Sequence, residues 1–191
     1  AGKTYTYTIS EDGFGTGWTG SGSVTATVVV TDNGDGTLKT EVSYDNDDKI
    51  TNTYEATGTA VLEVTKALSG AAWPEGAKLT FTLAGEGGTL PDTKTVELTA
   101  AGKATFGAIT YSEADAGKTY TYTISEDGFG TGWSANPANG SVTATVTITD
   151  KGDGTLETTV IYTPDATIKN IYEAQGYYDT SKFGKKNLVA T

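Results

Sequence analysis

The sequence predicts an all-β protein made of Ig-like β-sandwich repeats in tandem. Glycine and tyrosine are frequent, with Gly 25 and Tyr 11 among 191 residues, and threonine is in excess, which favours strands and tight turns over helices or disorder. Short segments of alternating polarity recur along the chain between turn sequences such as GEGG, KGDG and PDA. The length suits one large domain or about two small ones.

An internal repeat sets the domain boundaries. AGKTYTYTISEDGFGTGW at 1–18 recurs unchanged at 116–133, and the similarity continues through the TDNGDGTL and TDKGDGTL segments to ITNTYEA and IKNIYEA. We predict a complete domain at 57–174, preceded at 1–56 by the C-terminal half of another repeat and followed by a tail at 175–191. The first half of the complete repeat could pair with either copy of the second half, and its uninterrupted order favours its own successor.

Eight strands and one short helical turn near SEADAG are predicted within the complete repeat. Strands so closely spaced suggest a sandwich. The predicted strands are 59–68, 78–84, 94–99, 103–109, 118–126, 141–150, 155–162 and 166–173.

The composition excludes several classes of function. A net charge of −11 without histidine argues against binding to nucleic acid or to anionic membranes. The sequence contains no run of about 18 apolar residues that could span a bilayer. Without cysteine or histidine, disulfides, thiolate nucleophiles, zinc sites and Ser-His-Asp triads are excluded, so we expect no metal and no cofactor. The TDNGDGTL and TDKGDGTL segments lack the acidic pattern of a calcium loop and favour glycine-rich hairpin turns.

Three polar residues fall on inward faces of predicted strands. Side chains of a strand alternate between two faces, and in VLEVTKAL this places Lys66 beside Leu62 and Val64. Glu126 lies on the Tyr and Ile face of TYTYTISE, and Asn170 on the Ile and Tyr face of ATIKNIYE. A buried ammonium costs several kcal/mol unless it is paired, so we expect the three side chains to meet.

Two interpretations of this trio are open from the residues alone. One is a buried Lys–Glu ion pair with a hydrogen-bonded asparagine. The other is a spontaneous isopeptide bond, in which the amine of Lys66 attacks the side-chain amide of Asn170 and expels ammonia. Burial can lower a lysine pKa from about 10.4 to roughly 5–6, which frees the amine lone pair. Glu126 would hydrogen-bond the amide carbonyl and shuttle protons.

The repeat resembles the isopeptide-bonded pilin domains of Gram-positive surface proteins, the streptococcal major-pilin linker type related to the Cna B-type fold. The matching motifs are FTLAG at 81–85, GKATF at 102–106, YTYTISE at 120–126, ATVTITDKGDGTL at 144–156, and NIY at 170–172 beside NTY at 52–54. The resemblance covers essentially all of the complete repeat and again the preceding fragment.

The resemblance implies a specific bond. In that family a lysine of the first strand is joined to an asparagine of the last, assisted by a glutamate, and these positions match Lys66, Asn170 and Glu126. In the fragment, Glu11 and Asn52 match the glutamate and the asparagine. Its partner lysine would lie upstream, so the fragment should lack the bond unless another segment supplies a lysine.

The tail ends in LVAT, which is similar to the sortase signal LPxTG cut after threonine, although valine replaces the proline and the glycine is absent. On this interpretation Thr191 would be joined to cell wall or to a lysine of the next subunit, with Lys182, Lys185 or Lys186 as candidate acceptors. A disordered tail is the alternative.

Together these features predict an extracellular structural protein, the shaft or stalk of a Gram-positive pilus or adhesin, and not an enzyme that turns over. Its expected partners are other copies of itself or neighbouring repeats, with cell wall through sortase and a host surface ligand as further candidates. A ligand-binding adhesin module is the main alternative, which an exposed groove would favour. A carbohydrate-active enzyme would instead need two carboxylates converging in a cleft.

Overall fold

The computed structural model describes residues 2–20, 22–174 and 176, and this part of the chain is all-β, as predicted. Within it, two short 3-10 turns lie at Asn46–Asp48 and Glu113–Asp115, the second of them in the predicted SEADAG segment. The strands are β1 (Lys3–Ser10), β2 (Trp18–Gly20), β3 (Ser23–Asp32), β4 (Leu38–Tyr44), β5 (Asn52–Tyr54), β6 (Thr57–Ser69), β7 (Leu79–Glu86), β8 (Thr95–Leu98), β9 (Gly102–Ser112), β10 (Thr119–Glu126), β11 (Trp133–Asn136), β12 (Ser141–Asp150), β13 (Leu156–Thr163) and β14 (Thr167–Tyr172).

The chain divides into two compact units, each of which is described by itself. Unit one comprises Ala1–Ala60, Ile109–Tyr120 and Val146–Val160. Unit two comprises Val61–Ala108, Thr121–Thr145 and the described residues from Ile161 onward. The domain boundaries inferred from the repeat stay a prediction.

The strands of the 1–56 segment form two small sheets in unit one. Strand β3 pairs with β1 and with β4 in an antiparallel sheet, in the order β1-β3-β4, and β2 pairs with β5. Val24 and Ala26 on β3 are buried, whereas Tyr5, Tyr7 and Ile9 on β1 are exposed. Because Ile9 pairs with Val24 and Tyr7 with Ala26, these side chains share one face of the sheet, and that face is only partly covered.

The strands of the 57–174 segment form two larger sheets, an arrangement consistent with a β-sandwich. The strand order is β13-β12-β10-β7-β8 in one sheet and β11-β14-β6-β9 in the other. All eight predicted strands are present, with ends that shift by up to three residues. Strand β11 was not predicted, because WSAN is short and follows a glycine-rich loop, and it forms by antiparallel pairing with β14.

In unit two, alternation along the strands builds the core beneath the site. Leu62 and Val64 of β6, Ile124 of β10 and Ile168 of β14 are fully buried, and each such side chain contributes about 1.5–3 kcal/mol of burial free energy. Strands β6 and β14 run parallel, with Ile168 opposite Lys66. The first and last strands of the repeat therefore lie side by side.

Among the described residues, no helix is long and apolar enough to span a membrane.

Candidate functional site

Three strands of unit two bring Lys66, Glu126 and Asn170 together. Lys66 is 2% exposed because it follows the buried side chains of β6 at two-residue spacing. Asn170 is also 2% exposed on β14, and the side chain of Glu126, at the end of β10, is 1% exposed. The inward orientation that alternation predicts is therefore the one in the structure.

The carboxylate of Glu126 bridges the other two side chains. Its Oε2 accepts a hydrogen bond from Nζ of Lys66 at 2.5 Å, and its Oε1 accepts one from Nδ2 of Asn170 at 2.6 Å. The Lys66 amine also contacts Oδ1 of Asn170. We expected Glu126 to bond the amide carbonyl, whereas it contacts the amide nitrogen, so that it lies against both nitrogen atoms of the trio.

Burial changes the acid–base behaviour of Lys66. Loss of solvent lowers the pKa of its amine, and the hydrogen bond and negative charge of Glu126 oppose this shift without cancelling it. A larger fraction of the amine is therefore neutral at a given pH than for lysine in water. The neutral form carries the lone pair that a nucleophile needs.

Four aromatic side chains form a connected cluster that reaches Lys66 through Phe129, and sequence reasoning did not assign them to the site. Nζ of Lys66 is 5.7 Å from the ring centroid of Phe129. The Phe129 ring contacts Trp73 and Trp133, both at 4.8 Å between centroids, and Trp133 contacts Tyr172 at 5.2 Å. A signal for Phe129 and Trp133 was present in the sequence, because both lie in the GFGTGW segment that follows the glutamate in both copies. The Lys66 amine therefore has one aromatic ring within the range of a cation–π contact.

Comparison with known families identifies the type of domain. The family model FctA, described as the Spy0128-like isopeptide-containing domain, matches residues 1–55 and 62–173. The chain belongs to this family. Membership supports a structural role in a pilus that lies outside the cell and polymerises with other pilin subunits. No curated protein significantly resembles the chain.

The first segment of the FctA match contains an incomplete version of the site. Nδ2 of Asn52 donates to the two carboxylate oxygens of Glu11 at 3.1 and 3.2 Å, and both side chains are exposed. Within the described part of the chain, Glu11 forms no ion pair with a lysine. The fragment therefore brings together a carboxylate and an amide without a nucleophile.

Two further predictions concern the sortase linkage of the tail and metal binding. The sortase linkage stays a prediction, because the residues assigned to it lie outside the described part of the chain. They are Thr191, Lys182, Lys185 and Lys186. Within the described residues, no group of three or more acidic side chains is arranged to hold a metal ion.

Proposed function

We propose that this chain is a shaft or stalk segment of a Gram-positive surface pilus or adhesin, hardened by an autocatalytic amide bond between Nζ of Lys66 and Cγ of Asn170. The observation that carries the proposal is the buried carboxylate of Glu126 in contact with both the amine and the amide. A mechanical role gives such a bond its purpose, and membership of the pilin-type family agrees with that role.

The proposed reaction moves one proton and exchanges one bond. The neutral amine of Lys66 attacks the side-chain carbonyl carbon of Asn170, and the attacking nitrogen, which becomes positively charged, then gives one proton to the carboxylate of Glu126. Glu126 then returns the proton to the amide nitrogen, the old C–N bond breaks, and ammonia leaves. The new amide contains one hydrogen fewer on the lysine nitrogen, and Glu126 ends as it began.

Proximity supplies much of the rate in this scheme. The reacting side chains are held in contact by three strands of a packed core, which converts a bimolecular step into an intramolecular one. The reaction occurs once per domain and requires no cofactor, so the chain is not an enzyme in the turnover sense.

A buried ion pair with the same geometry is the competing interpretation. In that case Lys66 would remain an ammonium, at the cost of removing two charges from water. The two interpretations differ in covalent mass, so one measurement separates them.

The test is the intact mass of the purified full chain. We expect the wild-type mass to be lower than the sequence mass by one ammonia, and the full mass to return in Lys66→Ala and Glu126→Ala. Glu11→Ala is the matched control, because it removes the equivalent glutamate of the fragment and should leave the ammonia loss in place. An unshifted wild-type mass would reduce the trio to an ion pair.

Joining of subunits by a sortase through Thr191 extends the proposal. Deleting Thr191 should then abolish sortase-dependent multimers, as read by denaturing electrophoresis, without changing the ammonia loss. Multimers that persist after the deletion would argue against that linkage.

A further inference from the structure

Unit one contains a contact between a turn and a small socket. The turn is Asp150–Gly154, and Tyr54 reaches it with a hydrogen bond from Oη to Oδ1 of Asp150 at 2.7 Å. The backbone N–H of Gly154 in turn donates to Oη of Tyr54 at 3.2 Å. We name as the first socket the residues Gly17, Trp18, Tyr54 and Glu55.

Glycines on both sides make this contact close. A Cβ at Gly17 would lie 2.6 Å from Cα of Gly154, and a Cβ at Gly154 would lie 2.8 Å from Cα of Gly17. Both residues have positive φ, at +86° and +82°, which glycine adopts without strain. The two backbones therefore touch in a way that side chains would prevent.

Unit two contains a second socket with the same residue types, formed by Gly132, Trp133, Tyr172 and Glu173. In the second socket the N–H of Glu173 donates to the carbonyl oxygen of Gly132 at 3.0 Å. In the first socket the N–H of Glu55 donates to the carbonyl oxygen of Gly17 at 2.9 Å. The Trp and Tyr rings are 5.2 Å apart at 53° in the second socket. They are 5.1 Å apart at 48° in the first.

Among the described residues, nothing fills the second socket. Its four residues, with Thr131 and Ser134, line a cavity of about 530 Å³, and Tyr172 is 36% exposed. The three atoms nearest to a Cβ at Gly132 all belong to Tyr172. In the first socket the corresponding space holds the backbone of a GDG turn.

A second copy of the turn is exposed at Asp32–Thr37, and its internal bonds repeat those of the first. The N–H of Gly34 donates to Oδ1 of Asp32 at 2.8 Å, and that of Thr37 to Oδ1 of Asp35 at 3.0 Å. The two equivalent bonds at the Asp150–Gly154 turn, donated by Gly152 to Asp150 and by Thr155, the next residue, to Asp153, measure the same 2.8 and 3.0 Å. Gly36 has a φ of +88°, close to the value at Gly154.

We propose that the second socket binds the Asp32–Thr37 turn of another copy of this chain, through the contact that unit one makes internally. Socket and turn are different surfaces, so the contact is heterologous and can extend into a filament. The inference rests on the proposed fibre role and names the noncovalent contact within it. It does not depend on the isopeptide bond.

Site-specific photocrosslinking of the full chain tests this contact. Tyr172 is replaced by p-benzoylphenylalanine, the protein is irradiated at increasing concentration, and crosslinked peptides are identified by mass spectrometry. We expect dimers in which position 172 is joined to the Asp32–Thr37 turn. The same replacement of Tyr54 is the positive control and should crosslink within one chain to the Asp150–Gly154 turn.

A pair of glycine substitutions makes the test specific. Gly36→Asn keeps a residue that tolerates positive φ but adds a side chain where the backbones must touch, so it should abolish the crosslink to the turn. Gly117→Asn is the matched control, because Gly117 also has positive φ and open space around it, and it should leave the crosslink unchanged.

Two outcomes would overturn the inference. One is a working Tyr54 control without any crosslink from position 172 to the Asp32–Thr37 turn at the highest concentration. The other is a crosslink that persists in Gly36→Asn. The intact mass of the same samples reports the ammonia loss separately, so failure of the docking contact and failure of the proposed cross-link are distinguishable.

Discussion

Stretching the complete repeat should reveal whether load passes through a Lys66–Asn170 bond. In Glu126→Gln the side chain keeps its size but loses the carboxylate that moves the proton, so the bond should not form. Lys66 and Asn170 are 104 positions apart, and an extended residue spans about 3.3–3.6 Å. Unfolding should therefore release about 340–370 Å of enclosed chain in the variant, and none of it in the cross-linked wild type.

Single-molecule force spectroscopy on the full chain, held on either side of 57–174, measures this length directly. Intact mass of the same preparation establishes which molecules carry the bond. Glu11→Gln is the control and should behave as the wild type. The reasoning is refuted if molecules shown by mass to be cross-linked release the full increment, or if Glu126→Gln without the bond releases none.

Three further predictions concern stability and chemistry. A bond that encloses a loop of this length stabilises the folded state by about 4.7 kcal/mol. The Glu126→Gln variant, which lacks the bond, should therefore melt roughly 15–30 °C below the cross-linked wild type in calorimetry; an equal melting temperature would contradict this. Gly17→Ala should destabilise by about 1–3 kcal/mol more than Gly13→Ala in denaturant titration, because both glycines have positive φ but only Gly17 touches a neighbouring backbone; equal losses would refute the close contact. In Asn170→Ala, which keeps Lys66 but cannot form the bond, burial lowers the lysine pKa below 10.5. The folded state then binds fewer protons than the unfolded one between these two pKa values, so stability should rise with pH across that window and fall as the pH drops through the folded pKa. Denaturant titrations at several pH values should show this slope, and a double variant that also carries Lys66→Met should lack it.

Strand alternation makes part of the site predictable, and loop geometry hides the rest. Lys66 and Asn170 could be placed in the core because they lie on strands whose apolar residues alternate strictly, and parity then fixes the face. Phe129 could not, since it follows the end of β10 in a loop without periodicity. The contact of Glu126 with the amide nitrogen depends on how three side chains pack, and no spacing in the sequence contains that information.

The two copies of the glutamate–asparagine pair separate the effect of local sequence from that of the core. Residues 1–18 and 116–133 are identical, yet Glu11 and Asn52 meet in solvent at 3.1–3.2 Å, whereas Glu126 and Asn170 meet at 2.6 Å beside a buried lysine. Because the segment around the glutamate is identical in both copies, it does not account for this difference, whereas β6, which supplies Lys66, lies beside the strand of Asn170. Since the lysine amine loses its solvent only when β6 lies beside β14, the chemistry we propose depends on prior folding. A bond formed in that order fixes the native arrangement of strands and cannot trap a misfolded one.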